Sequence, residues 1–373
     1  MTPWPPICKV TYNIRIKNMI TLEKAALLAA IKKVLPGVEK GKTTIDGADQ
    51  LLFTGTHVYS HNSLVAVAAP CDTQGQAFSV KGMDFFNWVS RINDLMLVLD
   101  ITGTKVVLKG GRNKTSMKLM DPVSIQAYVE ALGAGSLEFT ILPEGFKDAA
   151  TICMLEGNLT PLKGVAVGPH GDHAAVFSTD SDRICLHDLA GSMPTFWVDD
   201  GIFLDAFKVG DPTGFCLNGP WIHFLYADGT IFSAQVKECS SYPFSTCTGF
   251  VDGISTATVK ASGRLPKDIG DAVSRVAILA GGDGSGASLV KMTFRKDELE
   301  LHAEKDGGDA TETIPWDVPL EEDPGDVCVY VTIRFLTGAA NKTMDFSLMS
   351  LGDAPFLVFK SGEYVQMVST STK

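Results

Sequence analysis

One order of elements occurs three times along the sequence, and this repeat limits the architectures that the chain can adopt. Each unit has a short apolar run, a helix, several period-2 runs, a second helix and further period-2 runs. Each spans roughly 120 residues, and the pattern of elements recurs although sequence identity between the units is weak. Gly, Asp and Asn turns separate the period-2 runs, as is typical of antiparallel hairpins. The repeat therefore predicts an α+β fold of three domains, each with two helices packed against antiparallel sheets.

Helical periodicity is found twice in each repeat. The first helix is the clearest, because Ala and Leu dominate it and Pro36-Gly37 ends the pattern. The six predicted helices are 22–35, 83–92, 143–155, 201–208, 266–279 and 329–336. The clearest predicted strands are 94–100, 105–109, 223–226, 231–234, 346–349, 356–359 and 364–368. Seams at 133–136 and 252–255 then predict an N-terminal extension (1–18) and domains at 19–134, 135–253 and 254–373.

Composition and charge restrict the class of protein. Hydrophobic residues make up 45% of the 373 residues, enough for a core in each domain. There is no apolar run long enough for a membrane helix, no layout of a secretory signal and no CxxC pair among the eight cysteines. We therefore expect a cytoplasmic protein with free thiols that has no membrane partner. The net charge of −11 argues against DNA binding on an open surface, but not against a protein that holds DNA by topology.

Two segments carry the most specific motifs. Residues 162–165 (LKGV) precede 176–184 (VFSTDSDRI), and residues 265–279 read LPKDIGDAVSRVAIL. With further matches at 18–28, 78–86, 110–117, 137–143 and 364–367, these segments resemble, in collinear order, the β sliding clamp of bacterial DNA polymerase III and its phage counterparts. The resemblance covers nearly the whole chain from Met19. It implies the DNA clamp fold, with two three-domain subunits closed head to tail into a ring.

The resemblance also implies a function without catalysis, cofactor or metal. Such a ring encircles double-stranded DNA without reading its sequence and tethers a DNA polymerase, with a clamp loader as a further partner. Basic side chains on the helices are the candidates for the lining of the pore, although most helix lysines simply form a solvated face. These candidates are Lys24, Lys32, Lys33, Arg91, Lys147, Lys208, Lys267, Arg275 and Arg334.

A groove for partner peptides, between the second and third domains, is the second site that the resemblance implies. The matching residues are Leu162, Thr179, Ser181, Asp182, Arg183, Ile184, Pro243, Val365 and Met367. Ser181-Asp182 stands where the family tends to have Gly-His, and Cys247-Thr248 where it has Arg-Val. The partner motif is therefore expected to differ from the common bacterial one, which suits a phage clamp with its own polymerase. The alternative is that these residues only pack two domains together.

The subunit interface implied by the resemblance joins a strand of one chain to a helix of the other. The strand contributes Lys114, Thr115 and Met117, and the helix contributes Ile278 and Leu279. Thr115 stands where an aromatic residue is common, so a weaker or repacked interface is expected. Ile278 and Leu279 are equally compatible with a position in the core.

Other chemical signals are weaker. His170-Gly171-Asp172-His173 has the residue types of a metal site, but it is expected to be a solvated hairpin tip. The Gly-rich residues 281–286 lack the ending of a phosphate loop. Two alternatives remain open: a virion structural or carbohydrate-binding protein, and a metal-dependent hydrolase that uses Asp172, His173 or Asp180.

Overall fold

The computed structural model describes residues 18–41, 43–132, 137–158, 160–279, 288–305 and 308–372. The N-terminal extension before Asn18, the seam at 133–136 and the Gly-rich loop at 281–286 lie outside these ranges. The described residues form eight α-helices and 24 strands, and every strand pairing is antiparallel. None of the described helices is long and apolar enough to cross a membrane.

The elements follow the same order in each third of the chain, except that the first two thirds end with one further helix. The first third contains β1 (Asn18–Glu23), α1 (Lys24–Val34), β2 (Gln50–Thr54), β3 (His57–His61), β4 (Val65–Pro70), β5 (Ala77–Lys81), α2 (Gly82–Arg91), β6 (Met96–Ile101), β7 (Lys105–Gly110), β8 (Asn113–Lys118) and α3 (Val123–Leu132). The second third contains β9 (Thr140–Ile141), α4 (Phe146–Cys153), β10 (Val165–His170), β11 (His173–Thr179), β12 (Arg183–Leu189), β13 (Phe196–Val198), α5 (Asp200–Val209), β14 (Pro212–Asn218), β15 (Trp221–Tyr226), β16 (Ile231–Gln235) and α6 (Phe244–Gly253). The last third contains β17 (Thr258–Arg264), α7 (Ile269–Leu279), β18 (Leu289–Phe294), β19 (Glu298–Lys305), β20 (Gly308–Pro315), β21 (Val327–Thr332), α8 (Ile333–Ala340), β22 (Asp345–Leu351), β23 (Ala354–Ser361) and β24 (Tyr364–Ser369).

Strand pairing confirms the threefold repeat. Each third forms two half-sheets of four strands with one connectivity: 5-2-3-4 and 1-6-7-8, then 13-10-11-12 and 9-14-15-16, then 21-18-19-20 and 17-22-23-24. The predicted α+β class with three repeated clamp domains is therefore confirmed. The exact domain boundaries remain predictions.

The chain divides into two compact units, and each contains one long and one short sheet. In the first unit (Met1–Leu142 and Gly201–Lys237) β4 pairs with β16, which fuses two half-sheets into an eight-stranded sheet. In the second unit (Pro143–Asp200 and Glu238–Lys373) β12 pairs with β24 in the same way. The half-sheets β1-β6-β7-β8 and β20-β19-β18-β21 remain four-stranded.

Amphipathic helices supply much of each core. In the second unit Ile269, Ala272, Val273 and Val276 fall on one face of α7, at the spacing of helical turns, and all four are buried. They belong to one apolar cluster that also contains residues of α8 and of strands β17 to β24. In the first unit the core includes stacked rings, such as Phe53 and Phe78 with ring centroids 4.5 Å apart.

The helices differ from the sequence predictions in three respects. The predicted helix at 329–336 is a strand up to Thr332 and a helix only from Ile333, because β-branched residues and an aromatic occupy 327–331 and favour a strand. The first helix begins at Lys24, since Leu22 and Glu23 pair with β6. Helices α3 and α6 were not predicted at all. Both follow a proline, and α6 is rich in Ser, Thr, Cys and Gly, which are weak helix formers.

Candidate functional site

The loop between β11 and β12 is a tight hairpin tip with a fixed shape. The Asp180 carboxylate accepts the backbone N–H of Arg183 at 2.9 Å. Ser181 occupies the left-handed region with φ of 77°, a conformation that usually costs a non-glycine residue free energy. Ser181 and Asp182 are exposed, so that the tip presents both side chains to solvent.

Arg183 anchors this tip in the interior of the second unit. Its side chain is 1% exposed, and Nε and Nη2 both donate to Oδ2 of Asp180, at 2.9 and 2.6 Å. Nη2 also donates to the Glu156 carbonyl at 2.9 Å, and the guanidinium lies 4.3 Å from the centroid of the Phe335 ring. A buried charge must be paired and hydrogen-bonded, and this arrangement meets that need.

Two apolar clusters meet beside the tip, on the face of the eight-stranded sheet that α6 covers. One contains Ala166, Phe177, Leu186, Trp197 and Tyr242, and the other contains Met349, Phe356, Val358, Val365 and Met367. Ile184 and Val251 are partly buried and pack against both clusters. We call the six larger of the partly buried apolar residues of the two clusters the α6 surface: Leu162, Ile184, Phe244, Val251, Ile254 and Leu351.

Helix α6 is held on the sheet by two features. Gly168 leaves room for the Phe244 ring, because a Cβ atom at residue 168 would lie 2.5 Å from that ring. At the other end of the helix, Asp252 accepts from Nε2 of His170 at 3.2 Å, and Asp188 contacts Nδ1 at 2.6 Å. Burial lowers the pKa of His170, but the two carboxylates outweigh it and raise the pKa above its ordinary value.

Of the nine residues predicted for the peptide groove, Ser181, Asp182 and Arg183 form the tip, and the other six lie on, beside or beneath the α6 surface. Leu162 and Ile184 belong to the surface itself, and Pro243 immediately precedes α6. Val365, Met367 and Thr179 are buried beneath it, and Thr179 donates to the Arg183 carbonyl at 2.7 Å. Sequence reasoning missed Phe244, Val251, Ile254 and Leu351. Three of these four lie on α6 or directly after it, so the missed helix explains most of the omission.

The residues predicted for the subunit interface lie at or near two open sheet edges. On β8, the last strand of its four-stranded sheet, Lys114 is exposed and Thr115 and Met117 are half-buried. A cavity of about 340 Å³ lies beside this strand and is lined by Trp88, Arg91 and Met117, among others. In the second unit Ile278 is 74% exposed, so it is not a core residue; the side chain of Leu279 lies outside the described residues.

The two open edges carry opposite charge. The hairpin that ends at β8, residues 105–118, contains five basic and no acidic residues. The hairpin that ends at β20, residues 298–315, contains six acidic residues and one lysine. One of these acids, Glu312, already accepts from Nε of Arg275 on α7 at 2.9 Å, which lowers the pKa of Glu312.

The nine basic candidates for DNA contact differ in their surroundings. Lys32, Arg91 and Lys267 are exposed, and Lys147 is half-buried. Five candidates contact named groups: Lys24 donates to the Ile92 carbonyl, Lys33 pairs with Asp228, Lys208 with Asp205 and Arg275 with Glu312, and Arg334 donates to the Gly157 carbonyl. The three ion pairs among these contacts are exposed or partly exposed and therefore weak, so they do not prevent contact with phosphate.

Of the three residues that suggested a hydrolase, Asp180 is engaged with another side chain. Asp180 is buried and paired with Arg183, and both ring nitrogens of His170 contact carboxylates. Asp172 and His173 are exposed at the hairpin tip, as predicted. His170 was expected to be solvated as well, but it is half-buried. No described feature therefore favours the hydrolase hypothesis.

Comparison with known proteins identifies the fold. No protein-family model matches the chain, and no curated protein matches it. The DNA polymerase sliding clamp of Bacillus subtilis is similar with a TM-score of 0.76 and 14% identity, over 96% of this chain and 100% of that one. The DNA polymerase III β chain of Streptococcus pneumoniae is similar with a TM-score of 0.77 and 13% identity, over 95% of this chain and 100% of that one. The Helicobacter pylori β clamp, solved with a DNA ligase peptide, is similar with a TM-score of 0.72 and 12% identity, over 95% of this chain and 100% of that one. At these identities the likeness shows that the chain has the sliding-clamp fold.

Proposed function

We propose that this protein is a cytoplasmic DNA sliding clamp, a processivity factor that closes around double-stranded DNA and tethers a DNA polymerase to it. It catalyses no reaction, and its partners are DNA, the polymerase, a clamp loader and a second copy of the chain. Residence on DNA follows from closure of the ring, so weak contacts with phosphate are sufficient and permit sliding.

The pattern of sheet joins is the observation that carries this proposal. Two joins of equivalent strands, β4 with β16 and β12 with β24, are made within the chain. In the third repeat the equivalent of β4 and β12 is β20, and in the first repeat the equivalent of β16 and β24 is β8. An unpaired edge strand is a template for pairing with another chain. Pairing of β20 in one copy with β8 in the next, repeated once, closes a ring of two subunits.

Charge and shape at the two edges support the same pairing. Opposite charges on facing hairpins favour association and exclude the wrong partner, here β8 against β8 or β20 against β20. The cavity beside β8 presents Trp88 and Met117, which suit the exposed Ile278 of a second copy. In this pairing Trp88 supplies the aromatic side chain that the family commonly has at the position of Thr115.

DNA contact is assigned to the nine helix-associated basic residues, because a lining must be distributed over all three repeats. The net charge of −11 leaves the rest of the protein repulsive to DNA, which limits binding outside the ring. Replacement of Lys32, Lys208 and Lys267 by glutamine is expected to weaken DNA retention and to reduce its dependence on salt.

The α6 surface is assigned to partner peptides. Partly buried apolar side chains over a packed core provide the anchor sites in which peptide-binding energy concentrates. The rigid tip held by Arg183 fixes one end of this surface.

Charge reversal at the edges tests the proposal. The wild-type chain should have about twice the mass of 39.9 kDa in sedimentation equilibrium. Lys114→Glu/Lys118→Glu should be monomeric at the same concentration, and addition of Asp309→Lys/Glu312→Lys should restore the dimer. Lys260→Glu, on the exposed strand β17, is the matched control and should remain dimeric. A wild-type monomer at all concentrations, or dimers in every variant, would refute the edge pairing.

A further inference from the structure

We propose that Asp182 selects partner peptides that carry a lysine or arginine next to their apolar anchors. This inference rests on the proposed role of the α6 surface and adds the charge of the ligand. It concerns a single exposed carboxylate at one end of that surface.

The pairing of β12 with β24 determines the direction of the Asp182 side chain. Ile184 pairs with Met367, and the ladder continues past the end of β12, where the Ser369 N–H donates to the Asp182 carbonyl at 2.8 Å. Alternate residues of a paired strand face the same side, so Asp182 faces the side of Ile184 and Leu186. Both of these residues belong to the clusters of the α6 surface. The carboxylate therefore lies at the end of a row of apolar residues that includes Ile184 and Leu186, which we call the apolar strip.

The Asp182 carboxylate is exposed and has no hydrogen-bond or ion-pair partner among the described residues. Neighbouring charges are mostly neutralised by their own partners. Arg183 is paired with Asp180, and Lys163 with Asp200 at 3.2 Å. Asp182 thus leaves a local negative charge beside the apolar strip.

Lys360 is an exposed base on the same face of the sheet, and it is too distant to neutralise Asp182. It pairs with Val365, whereas Asp182 is level with Ser369, four residues farther along β24. Four residues of strand span roughly 13 Å, which exceeds a Debye length of about 8 Å at physiological salt. The end of the surface at Asp182 therefore carries a negative charge that Lys360 does not neutralise.

Peptide selection tests the inference without a known ligand. The probe is a display library of random dodecapeptides, selected in parallel on wild-type protein, Asp182→Lys and Asp317→Asn. Asp317 is exposed and outside both clusters, so it serves as the matched control. Wild type and control should enrich apolar anchors flanked on one side by Lys or Arg, and Asp182→Lys should enrich the same anchors flanked by Asp or Glu.

Affinity measurements then give the size of the effect. For the peptide enriched on wild type, fluorescence anisotropy should show binding two- to fivefold weaker to Asp182→Asn, about the contribution of one exposed ion pair. High salt should remove this difference. Because the one described contact of Asp182 is made by its backbone, the substitution should leave the melting temperature unchanged.

The possible failures are distinguishable. Apolar anchors with no charge preference, or the same preference on wild type and Asp182→Lys, would overturn the role of Asp182 and leave the peptide site standing. Enrichment of no peptide, or of peptides that bind Ile184→Asp as tightly as wild type, would overturn both the role of Asp182 and the assignment of the α6 surface.

Discussion

Removal of the Arg183 side chain is expected to destabilise the second unit strongly. Arg183→Ala leaves the buried Asp180 carboxylate without its two guanidinium bonds, frees the Glu156 carbonyl and empties the space beside Phe335. Loss of one partner of a buried ion pair typically costs about 3–5 kcal/mol, because the remaining charge stays desolvated. In a unit of this size that cost lowers the melting temperature by roughly 6–20 °C.

Urea unfolding followed by tryptophan fluorescence measures this effect, with Trp197 and Trp316 as reporters in the second unit. Asp180→Asn/Arg183→Met removes both charges, so it should cost clearly less than Arg183→Ala alone. Arg264→Ala, at an exposed position on β17, is the control and should cost less than about 0.5 kcal/mol. A loss below about 1 kcal/mol for Arg183→Ala, or a double variant as unstable as the single one, would refute the argument.

Three further predictions concern the tip and α6. Ser181→Gly should stabilise the protein by about 0.5–1 kcal/mol in urea unfolding, since relief of the left-handed strain exceeds the entropy cost of glycine; a loss of stability would contradict this. Gly168→Val should displace the Phe244 ring, cost about 1–3 kcal/mol and weaken peptide binding, whereas unchanged binding would separate the ring from the peptide site. Because the folded-state pKa of His170 is raised, its charged bonds to Asp188 and Asp252 contribute fully below the unfolded-state pKa of about 6.5, and this contribution is lost as pH rises through the folded-state pKa. Stability should therefore fall with rising pH in this window, and His170→Gln should remove that slope in melts across pH 5–9.

Local sequence signals predicted most of the elements. The Ala- and Leu-rich run before Pro36-Gly37 gave α1, and the Asp228-Gly229 turn separated β15 from β16. These signals operate over a few residues, so they survive without knowledge of the tertiary structure. Where the same apolar run suits both a strand and a helix, as at 329–336, periodicity alone could not place the boundary between β21 and α8.

The site depended on contacts between distant residues, which no local pattern encodes. Arg183 was assigned to the peptide groove through a motif, but its burial depends on Phe335, 152 residues later in the chain. His170 was assigned to a solvated tip because its partner Asp252 lies on α6, a helix that was not predicted. The sequence showed that Thr115 stands where the family commonly has an aromatic residue. The nearby cavity lined by Trp88 became visible only in the structure.

Retention on circular DNA tests ring closure most directly. High salt screens the charged edges, so brief exposure to it followed by dilution should load the protein on a nicked plasmid. The protein should then co-elute with the circle in size-exclusion chromatography and be released when a restriction enzyme linearises the DNA. Lys114→Glu/Lys118→Glu should not be retained. Equal retention on circular and linear DNA, or retention of the edge variant, would contradict a closed ring.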